Sequence, residues 1–284
     1  MRGLSVASIF ASASGRVSED AWGQVGDETR GAVWVLDGAT GIGERQYISG
    51  AYSDAAWFAQ ELSAALTQHS LWPMAAREVL LLALRQVAKA WHDRVDEKNI
   101  PPYALPSAAG VWLRWDGEVQ DCLSLGDCRA WHLDDNGKVT QLSAMGGEAN
   151  DDWVMGLVRT QQAAGTPPHA MRAALTPALR AARSRMNQPG GYEIFSVMNP
   201  AVMQLPVRRY HLEPGKILLC SDGLLRWHDV YQQAELPEFV SSAVTDGPGL
   251  LAELRALENS DAACARFPRL KAQDDATGLV LRLV

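Results

Sequence analysis

Four short acidic clusters stand far apart in the chain, each at the end of an apolar run that reads as a β-strand. They are Ser18-Glu19-Asp20, Val35-Leu36-Asp37-Gly38, Leu219-Cys220-Ser221-Asp222-Gly223 and Asp274-Asp275-Ala276-Thr277. A lone Asp-Gly is only a turn signal. Four acidic strand ends gathered by folding would concentrate negative charge that only cations relieve. Oxygen-only donors suit hard ions such as Mg²⁺ or Mn²⁺ rather than zinc. These residues therefore point to a metal-dependent enzyme.

The elements that must position them follow from periodicity. Leu4 to Ala11 reads as a first strand, and Val33 to Leu36 as another that runs into the Asp37-Gly38 turn. Apolar residues at helical spacing predict a helix from about Tyr52 to Thr67. A second helix opens at Pro73 and runs through Trp91. Ala108 to Trp115, Val119 to Leu125, Arg129 to Leu133 and Val139 to Leu142 are short and β-favouring. Asp116-Gly117 and Asn136-Gly137 sit between two pairs of them as hairpin signals, which predicts an antiparallel meander. Met145 to Arg209 is the least regular stretch. It carries an Ala/Arg-rich helix from His169 to Met186, whose Arg180, Arg183 and Arg185 read as a solvated face rather than a substrate-facing wall. Lys216 to Cys220 reads as a buried strand, helical patterns extend to about Glu258, and a last strand covers Ala276 to Leu283.

Composition sets the class. The 284 residues are 47% hydrophobic and 21% charged, which is globular and not disordered. The net charge of −7 argues against a nucleic-acid scaffold. No stretch is long enough and free enough of charge to span a bilayer, and Met1 to Ser14 makes a poor signal peptide. Four cysteines, Cys122, Cys128, Cys220 and Cys264, form no CxxC pair and no zinc spacing, which fits a reducing, cytoplasmic setting. No Pro/Gly/Ser linker divides the chain. One domain over residues 1–284 is expected, as an α+β layered sandwich of antiparallel sheets covered by helices.

Leu36-Asp37-Gly38, Gly126-Asp127-Cys128-Arg129-Ala130, Cys220-Ser221-Asp222-Gly223 and Asp274-Asp275-Ala276-Thr277 resemble, in order, the signature motifs of PP2C-type (PPM) serine/threonine phosphatases, and Glu19-Asp20 is similar to their N-terminal acidic motif. The resemblance runs from about Arg16 to the end of the chain. It implies a four-layer α-β-β-α sandwich with two Mn²⁺ or Mg²⁺ ions between the sheets and a weaker third ion. By this resemblance Asp37 bridges both metals and the Gly38 carbonyl coordinates one. Asp222 and Asp274 hold the other, and Glu19 and Asp20 reach metal directly or through water. Asp127 helps hold the third ion beside Asp222, and Arg16 binds the substrate phosphate. The implied partners are a phosphorylated protein and a cognate Ser/Thr kinase, with no nucleic acid and no membrane. Asp37-Gly38-Ala39-Thr40-Gly41 resembles bacterial members in particular. The chemistry is coherent, since two cations about 4 Å apart clamp a phosphate and acidify a bridging water, and a guanidinium fork matches phosphate oxygens.

Departures and rivals stand beside this reading. Family members with a histidine after Asp-Gly use it as a candidate general acid, and here Ala39 stands there. Arg16 is one residue closer to Asp20 than in many relatives, and 145–209 does not follow the usual flap pattern. Taken singly, Asp222 could be a helix N-cap, Asp274-Asp275 a solvated loop, and Asp127 with Arg129 a structural ion pair. Cys220 to Arg226 matches C-x5-R, the loop of cysteine-based phosphatases, but Leu219 replaces the usual histidine and the preceding strand suggests a buried thiol. Asp37-Gly38-Ala39-Thr40 is similar to part of the haloacid dehalogenase motif, but Val35 stands where an acid is needed. The rival of a different class is a catalytically weak or inactive regulatory module on the same fold.

Overall fold

A strand whose two faces are both apolar must be covered on both sides. In β3 (Arg30–Gly38), Val33 and Val35 point one way and Trp34 and Leu36 the other, and all four are fully buried. In β10 (Gly215–Cys220), Ile217 and Leu219 alternate with Leu218 and Cys220, again all buried. The computed structural model describes residues 4–13, 17–39, 41–96, 99–144, 148–198 and 207–283. It meets this requirement with an α-β-β-α stack.

The first sheet comprises β1 (Leu4–Ala11), β11 (Ala276–Leu283), β10, β6 (Arg129–Asp134) and β7 (Val139–Gln141), in that spatial order. The second comprises β2 (Ala21–Gly26), β3, β4 (Ser107–Asp116), β5 (Val119–Leu125) and β9 (Arg208–Tyr210), with β8 (Phe195–Ser196) added beside β4. Each pairing among the described residues is antiparallel. Val33, Val35, Val111, Leu113, Ile217, Leu219, Leu279 and Leu281 fill the space between the sheets.

Helices cover the outer faces. On α1 (Asp54–His69) the buried residues Ala55, Phe58, Ala59, Leu62 and Leu66 recur at helical spacing, and the Ser53 hydroxyl caps its start by accepting the Ala56 N–H at 3.0 Å. With Val79, Leu80, Leu84 and Val87 of α2 (Ala76–Arg94) they pack on Trp34, Leu36 and Trp112. Both indoles are satisfied: Trp34 Nε1 donates to Ser63 Oγ at 2.9 Å and Trp112 Nε1 to Ser70 Oγ at 3.2 Å. On the other side, Leu224 and Trp227 of α5 (Asp222–Asp229) and Phe239, Val240 and Leu254 of α6 (Leu236–Ser260) cover Trp131, Leu218 and Cys220. No helix among the described residues is long and apolar enough to cross a membrane.

Two expectations need correction. The strand block is not one meander: β4–β5 lies in one sheet and β6–β7 in the other. Period-2 alternation shows that a strand is covered but not by which sheet, and the chain changes sheet between Leu125 and Arg129. Nor is 145–209 mainly irregular. It carries a helical hairpin, α3 (Glu148–Ala163) and α4 (Pro168–Arg183), with a small core of its own at Val158, Met171 and Leu175. Arg183 is buried rather than solvated, for reasons given below.

The antiparallel register gathers the strand ends. The end of β10 pairs with the starts of β11 and β6, as Cys220 opposite Gly278 and Arg129. In the other sheet the end of β3 lies beside the start of β2 and the end of β5: Leu36 opposes Ala21 and Gly110, and Gly110 opposes Leu125. The sheet-changing turn needs glycine at 126, where φ is +75° and a Cβ would come within 2.6 Å of the Ala109 Cβ. Gly117, in the β4–β5 turn, has φ +63° but open space around it. Gly117→Ala is therefore expected to lower stability by about 1–2 kcal/mol from backbone strain alone, and Gly126→Ala, which adds the clash with Ala109, by about 2–4 kcal/mol. Urea denaturation of both variants checks the order.

Candidate functional site

Each acidic cluster sits on a strand end brought to the same edge. Asp37 is the second-last residue of β3, and Asp127 lies in the turn by which the chain changes sheet. Asp222 is the first residue of α5, directly after β10, so Ser221 rather than Asp222 takes the N-cap position. Asp274 and Asp275 precede β11 and are buried, so they do not form a solvated loop. Gly223 permits that approach, because a Cβ there would fall 1.8 Å from the Asp275 carbonyl oxygen. Asp37, Gly38, Asp127, Asp222 and Asp274 line one pocket of about 280 Å³, and Trp153, Leu179, Arg183 and Tyr192 supply walls from the α3–α4 side.

Asp20 and Asp275 support this pocket from behind. Asp20 Oδ2 accepts from Thr277 Oγ1 at 2.7 Å and from Ser221 Oγ at 3.0 Å. The Asp275 carboxylate accepts the backbone N–H groups of Ala13 and Glu19, both at 2.7 Å. Glu19 turns elsewhere: its Oε1 accepts from Ser53 Oγ at 2.5 Å, while its carbonyl accepts the Gly38 N–H at 3.2 Å. Glu19 thus braces the α1 cap and the Asp37 loop, and it does not line the pocket. Arg16 lies outside the described residues.

Burial and crowding dominate the electrostatics. Burial, then Asp222 and Asp20, pushes the Asp37 carboxyl well above the usual carboxylate range. Burial, against the hydrogen bond from Thr277 and with repulsion from Asp274, raises Asp20 to about 8. Burial, then Asp222, raises Asp127 to about 7. Asp222 goes the other way. Burial would raise it, but Arg226, a hydrogen bond from Asp37 and Lys271 together hold it below the usual range. Burial and mutual repulsion thus drive Asp37 up, while the neighbouring cations hold Asp222 down.

Sequence reasoning gave no site role to four side chains that the structure places at the pocket. Arg226, one helical turn after Asp222, donates from Nη2 to Asp274 Oδ2 and lies 3.8 Å from Asp222 Oδ2. Lys271 Nζ pairs with Asp274 Oδ1. The i,i+4 and i,i+3 spacings were visible in the chain, but their targets were not. Arg183 is buried because it ties α4 to the loop after Asp37, donating to the carbonyls of Ala39, Tyr103 and Leu105 at 3.1, 3.0 and 3.2 Å and to Ser107 Oγ at 3.0 Å. Tyr192 completes that wall. No three His, Cys, Asp or Glu side chains among the described residues form a ready-made metal cage. Cys220 is fully buried and its thiol is pushed up by that burial, so it offers no thiolate nucleophile.

No protein-family model matches the chain and no curated protein matches it. Solved structures do. The serine/threonine phosphatase PstP of Mycobacterium tuberculosis aligns with a TM-score of 0.59 at 18% identity, over 100% of this chain and 99% of that one. PppA, a key regulatory component of the T6SS in Pseudomonas aeruginosa, gives 0.57 at 20% identity, over 99% of this chain and 98% of that one. The catalytic domain of PstP in complex with two manganese ions gives 0.53 at 18% identity, over 100% of each chain. At these identities the likeness is one of fold: the chain has the PP2C-like architecture that its ordered motifs resemble.

The raised carboxyls carry a sign. A folded state that holds protons on Asp20 and Asp127 up to about 8 and 7 binds more protons than the unfolded chain, whose carboxyls titrate near 3.8. Stability then falls as pH rises from about 4 towards 8 and levels off above. Thermal denaturation in a chelating buffer between pH 5 and 8.5 is expected to show this decline.

Proposed function

We propose that this protein is a metal-dependent phosphatase that hydrolyses phosphoserine and phosphothreonine in proteins, with water as nucleophile. One observation carries the reading: Asp37, Asp127, Asp222 and Asp274 converge in one pocket at the shared edge of two sheets, on a fold common to known phosphatases. The donor set fits hard divalent cations. It is all oxygen, crowded, and short of positive charge once Asp20, Asp37 and Asp127 ionise.

In this reading Asp37 and the Gly38 carbonyl would hold one Mn²⁺ or Mg²⁺ ion, Asp37 with Asp222 and Asp274 would hold a second, and Asp127 beside Asp222 would help hold a weaker third. The bound ions would supply phosphate neutralisation and an acidified water. The chain's own residues do the positioning. Asp20, held by Ser221 and Thr277, fixes the approach of Asp222 to β11. Glu19 supports the loop carrying Asp37 and Gly38. Arg16 is assigned to the phosphate oxygens. Ala39 provides no proton for the departing alkoxide, so aryl phosphates, whose leaving groups need protonation least, are favoured over alkyl ones. A phosphorylated protein and a cognate kinase are the partners this chemistry implies.

A second reading, a regulatory module without turnover, draws on Arg226 and Lys271 engaging Asp274. Hydrolysis of para-nitrophenyl phosphate and of a phosphoseryl peptide separates the two. Manganese-dependent turnover by the wild type is expected, with Asp37→Asn slower by about a hundredfold or more. EDTA should abolish activity and iodoacetamide should leave it intact. No turnover with any divalent metal would favour the module.

A further inference from the structure

A carboxylate that serves a metal ion must have lone pairs to offer. Asp274 has both oxygens occupied by cationic side chains: Arg226 donates to Oδ2 and Lys271 pairs with Oδ1. The two cations differ in freedom. Arg226 rises from the second turn of α5, its side chain is only 11% exposed, and it also lies beside Asp222. Lys271 is 40% exposed on a flexible stem and can swing into solvent. The stretch around Lys271 is tied down by hydrogen bonds on both sides. The Arg269 guanidinium, which is buried, holds Asp261 and the Phe267 and Ala272 carbonyls. The Glu258 carboxylate accepts the Asp274 N–H at 3.4 Å.

We propose that Lys271 is a built-in competitor of the cation assigned to Asp274, so that this chain loads divalent ions in sequence. The first ion binds through Asp37 and its neighbours. The ion that uses Asp274 binds only when the Lys271 ammonium gives up Oδ1. Arg226 stays in place as the fixed counter-charge that orients Asp274. This inference rests on the metal-dependent reading above and adds an order of loading and the residue that sets it.

The test is metal binding itself. Isothermal titration of manganese into the metal-stripped full chain is expected to resolve a tighter and a weaker step in the wild type. Lys271→Gln should tighten the weaker step about tenfold, the scale set by removing one unit charge a few ångströms away in a partly solvated site. Lys271→Arg, which keeps the charge, should leave it near the wild-type value. Electron paramagnetic resonance gives a second readout, in which the spin-coupled manganese pair should appear at lower manganese in Lys271→Gln. Two ions bound with equal affinity by the wild type, or a Lys271→Gln titration that matches the wild type, would overturn the inference and leave the metal-dependent reading standing. A wild-type chain that binds no divalent ion at all would overturn both.

Discussion

Carboxylates buried together repel one another, and the end of the sandwich is organised around that repulsion. Antiparallel pairing brings the last residues of β3, β5 and β10 and the first of β2, β6 and β11 to a common edge, and the sequence loads that edge with aspartates. Three devices hold the charge. Asp222 lies beside the Arg226 guanidinium, Asp20 is wrapped by two hydroxyls, and Asp274 is clasped by a guanidinium and an ammonium. Each relieves repulsion with a group the chain already owns.

The competing chemistries fail for structural reasons. A cysteine phosphatase needs a thiolate in an open anion cradle, yet Cys220 sits fully buried under α5 and α6 among Leu218, Leu224 and Phe239. A haloacid dehalogenase reading needs a parallel doubly wound sheet, whereas each strand pair described is antiparallel. The water-based phosphate chemistry proposed above needs neither a thiolate nor a doubly wound sheet, and Ala39 offers it no proton donor.

Much of this was legible in the chain. β1, β5 and β11 fall where apolar runs place them, and α1 and α2 follow their apolar periodicity to within a few residues. Of the residues in the ordered acidic motifs, Asp37, Gly38, Asp127, Asp222 and Asp274 line the pocket, whereas Glu19 and Asp20 do not. Three things were not legible. The change of sheet at Gly126 depends on which sheet covers which face, and local alternation does not encode that. α3 was hidden because its packing partners, Met171 and Leu175, lie on the neighbouring helix and few of its own residues are buried. The burial of Arg183 depends on carbonyls of Ala39, Tyr103 and Leu105, residues far away in sequence, and no local pattern distinguishes such an arginine from a solvated one.

β11 lies between β1 and β10, and it is the latest in chain order of the strands among the described residues. During synthesis, β1 has no sheet partner until β11 has emerged, with more than 260 residues separating Ala13 from the Asp275 oxygen that accepts its N–H. The first sheet therefore closes late, and the cost of bringing its ends together precedes the reward. Until then the edge of β10 is an open template for stray pairing. The acidic pocket is complete only when Asp274, at the start of β11, has been brought to the ends of β3 and β10.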